Sequence, residues 1–224
     1  MSVSTVHGRV LDRPGHSPSD LFLLNRFSMG TATTQEVITF YGATAAITVD
    51  GTLPAAALAR IIVRIRNLSF ATLTSPANLE FNLATGFVFS AAGYSYVGWG
   101  QSTLATTTGL QQGLNNGATS FKMNGPITAT MTSIQSSTAT GAKGVNIELI
   151  LENPGATGIP FFSWELWGVG TASGILSTRG HGFMNQVGPI NGILMGTVGG
   201  TNMDGGQIEV WAQKFTRAEP ELNF

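Results

Sequence analysis

The chain has 224 residues, no cysteine, 10 % charged residues and a formal net charge of -1. The missing thiols exclude disulfides, thiolate zinc sites and cysteine nucleophiles. The scarcity of Lys and Arg leaves no basic face able to neutralise a run of phosphates, so nucleic-acid binding is not expected.

The elements follow in chain order. Residues Met1 to Val10 carry no apolar core of a signal peptide, so no secretory signal is expected. Asp12 to Asp20 is rich in Pro, Gly and Ser and reads as turns. Leu21-Phe22-Leu23-Leu24 reads as a helical turn capped by Ser19 or Asp20. Residues 1–35 are expected to form an extended arm that packs on a neighbour, and residues 36–224 a single body.

The body opens with Val37 to Tyr41 and Ala46 to Val49 as short strands, followed by the turn dipeptide Asp50-Gly51. Ala55 to Ala59 reads as a helical turn started at Pro54. Ile61, Val63 and Ile65 then alternate with Ile62, Arg64 and Arg66, which gives one apolar and one partly charged strand face. The run Leu53 to Ile65 holds Pro54, Arg60 and Arg64. It is too short and too charged to cross a bilayer, and no membrane partner is expected.

Leu79, Phe81 and Leu83 alternate with Glu80 and Asn82, and Tyr94 to Val97 is a further strand. Gln101 to Thr119 is polar and uncharged and reads as a long surface loop with at most a weak edge strand. Phe121 to Ile134 reads as a strand pair interrupted at Gly125-Pro126. The strongest strand signal is Val145 to Glu152, where Val145, Ile147, Leu149 and Leu151 share one face. Phe161 to Trp167 sets Phe162, Trp164 and Leu166 against Ser163 and Glu165, and Ile208 to Phe215 closes the body. About ten short strands and no long amphipathic helix mean an all-β fold, an antiparallel β-sandwich or jelly-roll-like domain.

The residues of acid–base chemistry are sparse. The histidines are His7, His16 and His181. His181 lies in Thr178-Arg179-Gly180-His181-Gly182-Phe183, read as a loop in which Arg179 and His181 offer an anion or carbohydrate contact, or in which His181 simply bonds backbone. The acidic residues are scattered without metal-ligand spacing, and neither a phosphate-binding glycine loop nor a serine nucleophile elbow occurs. No cofactor, no metal and no catalytic activity are expected. The counter-case is that Glu148 and Glu165 meet in the fold as a carboxylate pair. Trp164 belongs to the core, whereas Trp167 and Trp211 fall on the polar-side parity of their strands. Trp99, Trp167, Trp211, Arg179 and His181 are the interface candidates, because Trp and Arg anchor buried contacts.

Phe162-Ser163-Trp164-Glu165-Leu166-Trp167-Gly168, the Gly-rich loop after it and Gly205-Gly206-Gln207-Ile208-Glu209-Val210-Trp211-Ala212 resemble the β-sandwich virion proteins of tailed bacteriophages. The abundance of Gly, Thr and Ala and the low charge are similar to theirs as well. The resemblance implies a capsid decoration (cement) protein, located in the virion, that stabilises a shell of major capsid protein. The alternative it implies is a tail-fibre or receptor-binding knob that recognises a host glycan or protein. The step from a short arm directly to a globular body, without a coiled-coil or collagen-like shaft, favours decoration. A chain with so few charges is expected to assemble as a symmetric homo-oligomer, a trimer.

Overall fold

The computed structural model describes residues 21–29, 33–40, 48–49, 53–54, 58–70, 78–85, 88–104, 107–123, 144–152, 154, 159–169, 175–185, 190–198 and 202–214. In chain order the strands are β1 (Leu21–Ser28), β2 (Gln35–Thr39), β3 (Thr48–Val49), β4 (Leu53–Pro54), β5 (Leu58–Phe70), β6 (Asn78–Thr85), β7 (Val88–Phe89) and β8 (Tyr94–Leu104). They continue as β9 (Thr107–Ala118), β10 (Phe121–Lys122), β11 (Val145–Glu152), β12 (Phe161–Val169), β13 (Ile175–Met184), β14 (Ile190–Val198) and β15 (Met203–Lys214).

These strands form an antiparallel sandwich. An eight-stranded sheet runs β1-β15-β5-β11-β12-β13-β8-β9, a five-stranded sheet runs β10-β6-β14-β2 with β7 beside β6, and β3 pairs with β4. The reason is the period-2 alternation of apolar side chains. On β11 Val145, Ile147, Leu149 and Leu151 are buried while the residues between them are half-exposed. Ile61, Val63 and Ile65 of β5, Phe162, Trp164 and Leu166 of β12 and Ile208, Val210 and Ala212 of β15 take the same inner face. The smaller sheet answers with Leu79, Phe81 and Leu83 of β6 and Ile193 and Met195 of β14.

Rings and hydrogen bonds tie the two layers together. Phe121 of β10 stacks on Phe162 at 4.2 Å and on Phe81 at 5.4 Å between centroids. The Tyr94 hydroxyl of β8 accepts from the Leu83 N–H at 2.7 Å and donates to the Ser90 carbonyl at 3.1 Å. Asn67 takes a left-handed φ of 52° at a bulge in β5, which returns Leu68 to the core after the outward Arg66.

Four expectations change. Leu21–Ser28 is not a helical turn in an arm. It is an edge strand, held to β15 in a register running from Leu21↔Gln213 to Ser28↔Gln207. The stretch Leu21–Ser28 of the expected arm thus lies in the eight-stranded sheet. Much of Gln101 to Thr119 is strand, since β8 reaches Leu104 and β9 pairs with it along Thr107–Ala118. Leu58 and Ala59 already belong to β5 rather than to a helical turn. Thr178 to Phe183 is the middle of β13, not a loop. Residues 1–20, with His7, His16 and the proposed caps Ser19 and Asp20, lie outside the described residues, as do Asp50-Gly51 and Gly125-Pro126.

Candidate functional site

Register decides what meets on the outer face of the large sheet. Successive partners across seven strands are Arg26 (β1), Glu209 (β15), Arg64 (β5), Glu148 (β11), Glu165 (β12), Arg179 (β13) and Trp99 (β8). Charges of opposite sign alternate along this row, which favours cross-strand pairing. Arg26 Nη2 lies 2.7 Å from Glu209 Oε1, and Arg64 Nε donates to Glu148 Oε2 at 2.7 Å. The alternation breaks once, where Glu148 and Glu165 stand side by side.

A neighbouring row holds Trp211, Ile62, Ile150, Ser163, His181 and Val97. Where the two rows cross β11, β12, β13 and β8 there is an open groove of about 500 Å³. Its outward lining is Trp99, Glu148, Ile150, Ser163, Glu165, Arg179 and His181, and the inward positions Trp164 and Gly180 complete it. The indole of Trp99 and the imidazole of His181 lie 5.5 Å apart between centroids, tilted by 43°. Trp99 is half-buried, whereas Glu165, Arg179 and His181 are exposed. Among the described residues no ion pair links Glu165 to Arg179, although they are register partners.

The local sequence explains how β13 supports this groove. Gly180 and Gly182 face the core there. A Cβ on Gly180 would sit 2.3 Å from two ring carbons of Trp164, and one on Gly182 would sit 2.6 Å from Tyr96 Cβ. The missing side chains give the rings of Trp164 and Phe162 the space beneath the strand. Arg179 and His181 then project outward on either side of Gly180.

Three of the five sequence candidates, Trp99, Arg179 and His181, therefore share one groove. Trp167 is 44 % exposed and stands one outward position beyond Glu165 on β12. Trp211 lies elsewhere, on β15. Its Nε1 donates to Glu209 Oε2 at 3.2 Å, within the ion-paired part of the face. Glu148 and Glu165 do meet, which the sequence raised only as the counter-case. Ser163 and Ile150 of the lining carry no sequence signal beyond their outward parity.

Chemically the groove offers two carboxylate acceptors, a guanidinium donor, a hydroxyl, an imidazole and an indole face. Among the described residues no three His, Asp or Glu side chains are placed to hold a metal ion, and no helix is long and apolar enough to cross a membrane. Comparison with family models, with curated proteins and with solved structures finds no match to the chain.

Proposed function

We propose that the chain is a non-enzymatic structural protein of a phage virion, a decoration protein that stabilises the shell by binding major capsid protein through the outer face of its eight-stranded sheet. The observation that carries this reading is the character of that face. Phe161 and Trp167 stand out at 56 % and 44 % exposure, in a surface whose Arg26, Arg60, Arg64 and Arg66 are all held in ion pairs within the same chain. Large aromatic anchors beside a face whose other arginines are already ion-paired suit a protein contact, because Glu165 and Arg179 are then the main charges to be stripped of water on docking. A homotrimer would present three such faces to the shell.

The test is occupancy on shells assembled from major capsid protein. Trp167→Ala together with Phe161→Ala should lower bound copies at least tenfold while the purified variant stays folded. Undiminished occupancy, or a wild-type chain that never binds shells, would overturn the decoration reading.

One observation favours a second reading, a receptor-binding knob: the groove between those two aromatics is open, mixes polar with aromatic lining, and offers side chains able to recognise a small ligand. The two readings differ in what the assembled particle does with it. Decoration through this face closes the groove, and a knob leaves it open.

A further inference from the structure

The geometry points to the groove as a carbohydrate subsite that takes one neutral hexopyranose ring, stacked on Trp99 and hydrogen-bonded by Glu165 and Arg179. This inference rests on the second reading and gives it a ligand class.

Charge narrows the ligand first. The groove region holds Glu148, Glu165 and Arg179, and Arg64 sits on Glu148 at 2.7 Å. Two negative and two positive groups balance. A phosphate would face two carboxylates, and an ammonium ligand would face Arg179, which already occupies the position between Glu165 and Trp99 in the register row. A neutral ligand with many hydroxyls meets neither repulsion.

Donor and acceptor geometry narrows it further. Glu165 offers only acceptors and Arg179 only donors, and they are adjacent on neighbouring strands without an ion pair between them among the described residues. Vicinal hydroxyls on a pyranose can donate to the first and accept from the second at once. A hydroxyl donated toward the Glu148–Glu165 pair also eases the one like-charge step in the row. Ser163 and His181 lie one row further on, within the same lining, for the next hydroxyl.

The third requirement of a sugar is an apolar platform. The axial C–H groups of a pyranose form a weakly polar face, and an indole is the broadest surface a side chain can offer it. Trp99 is half-buried and lies against His181 at 5.5 Å, so part of its side-chain freedom is already restricted before binding. A volume of about 500 Å³ lies within the usual range of small-ligand sites, and its openness suits a ring within or at the end of a longer glycan.

The experiment titrates the full-length chain with the methyl glycosides of glucose, galactose, mannose and N-acetylglucosamine, read by saturation-transfer NMR and tryptophan fluorescence. At least one should bind with a Kd on the order of 1 mM, as expected of a single ring on an open site. Trp99→Ala and Glu165→Gln should each weaken it at least tenfold, and Trp211→Ala, in the ion-paired part of the face, should not. Circular dichroism and thermal melts confirm that each variant folds. No binding by any of the four at 50 mM, binding that survives Trp99→Ala, or preference for phosphate or lysine over all four would overturn the subsite. Repeating the titration on chains mounted on shells separates the two functional readings: binding lost there supports decoration through this face, and binding kept supports the knob. A failure of all four sugars on the free chain removes the subsite alone.

Discussion

The two halves of the eight-stranded sheet are built from different materials. Under β15, β5 and β11 the core is mainly aliphatic: Ile208, Val210, Ile61, Val63, Ile65, Val145, Ile147, Leu149 and Leu151, with the ring of Phe70 at the end of β5. Above them, outward, the charges pair at short range. Under β12, β13 and β8 the core is richer in rings and glycines, with Phe162, Trp164, Tyr94 and Tyr96 beside Gly180, Gly182 and Gly98, and with Leu166, Thr178 and Met184 among them. Above them Glu165 adjoins Glu148 of β11, an arginine has no ion pair among the described residues, and an indole lies tilted against an imidazole. The first half keeps apolar residues inward and pairs its charges outward. The second departs from this pattern, and departures of this kind are where binding sites are found.

The comparison is broken most strongly from inside, by opposite operations on the two halves. In the aliphatic half, removal does the damage: Leu149→Ala leaves a cavity at a fully buried position and should cost about 3 kcal/mol. In the aromatic half, addition does it. Gly180→Ala places a methyl 2.3 Å from the Trp164 ring and 2.5 Å from the Val97 carbonyl. Trp164 cannot yield easily, because Tyr96, Phe121 and Phe162 all lie within 6.1 Å of it between centroids. A cost of about 3 kcal/mol is expected there too. Urea unfolding of both variants with unchanged m-values checks this, and a Gly180→Ala protein as stable as wild type would mean that the rings under β13 are loosely held.

These same glycines show why the sequence revealed one half better than the other. Val145 to Glu152 announces itself through alternation alone, and its inward set is the buried set. Thr178-Arg179-Gly180-His181-Gly182-Phe183 reads as a loop because glycine is a turn signal in isolation. Its inward glycines are strand residues whose partners are the rings of β12, and that complementarity exists only once β12 and β13 are paired. Thr107–Ala118 is hidden in a similar way, as an uncharged polar strand without an apolar face of its own. Leu21-Phe22-Leu23-Leu24 misleads because four apolar residues in a row carry no period. The outward parity of Trp167 and Trp211 was legible from their strands. The groove was not: the row from Arg26 to Trp99 gathers residues 26 to 209 of the chain, and register between distant strands is not written in local pattern.

Alkaline pH sharpens the contrast at an intermediate scale. Burial pushes the Tyr94 phenol up from 10.0 to about 12, against the opposing pull of its hydrogen bonds. The unfolded chain therefore loses this proton at a lower pH than the folded one. The phenol's contribution is complete below pH 10 and is lost as pH rises from there through about 12. Tyr94→Phe should cost about 2 kcal/mol at pH 7, since the Leu83 N–H loses its acceptor, and should flatten the fall in stability between pH 10 and 12. The aliphatic half has no counterpart, so an equally steep fall in Tyr94→Phe would place the alkaline sensitivity elsewhere.

The smallest effect separates the two halves by sign. Arg64 and Glu148 are partners at 2.7 Å, and Glu148 and Glu165 are register partners of like charge. If the row is one electrostatic unit, a double-mutant cycle on the first pair gives a favourable coupling and a cycle on the second an unfavourable one. Glu→Gln is close to isosteric, so Glu148→Gln and Glu165→Gln change charge with little change of packing. Glu148→Gln removes an attraction and a repulsion together and should alter stability little. Glu165→Gln removes the repulsion without breaking an ion pair seen in the structure, and should be neutral or stabilising by a few tenths of a kcal/mol. The coupling between the two glutamates should be unfavourable by about 0.2–1 kcal/mol and shrink as salt rises, because both side chains reach solvent. The Arg64–Glu148 coupling should shrink with salt from the opposite side. A favourable or zero coupling between Glu148 and Glu165 would mean that the carboxylates do not oppose one another. The break in the charge row would then be a matter of sequence order, and the groove would have no electrostatic reason to draw a hydroxyl between them.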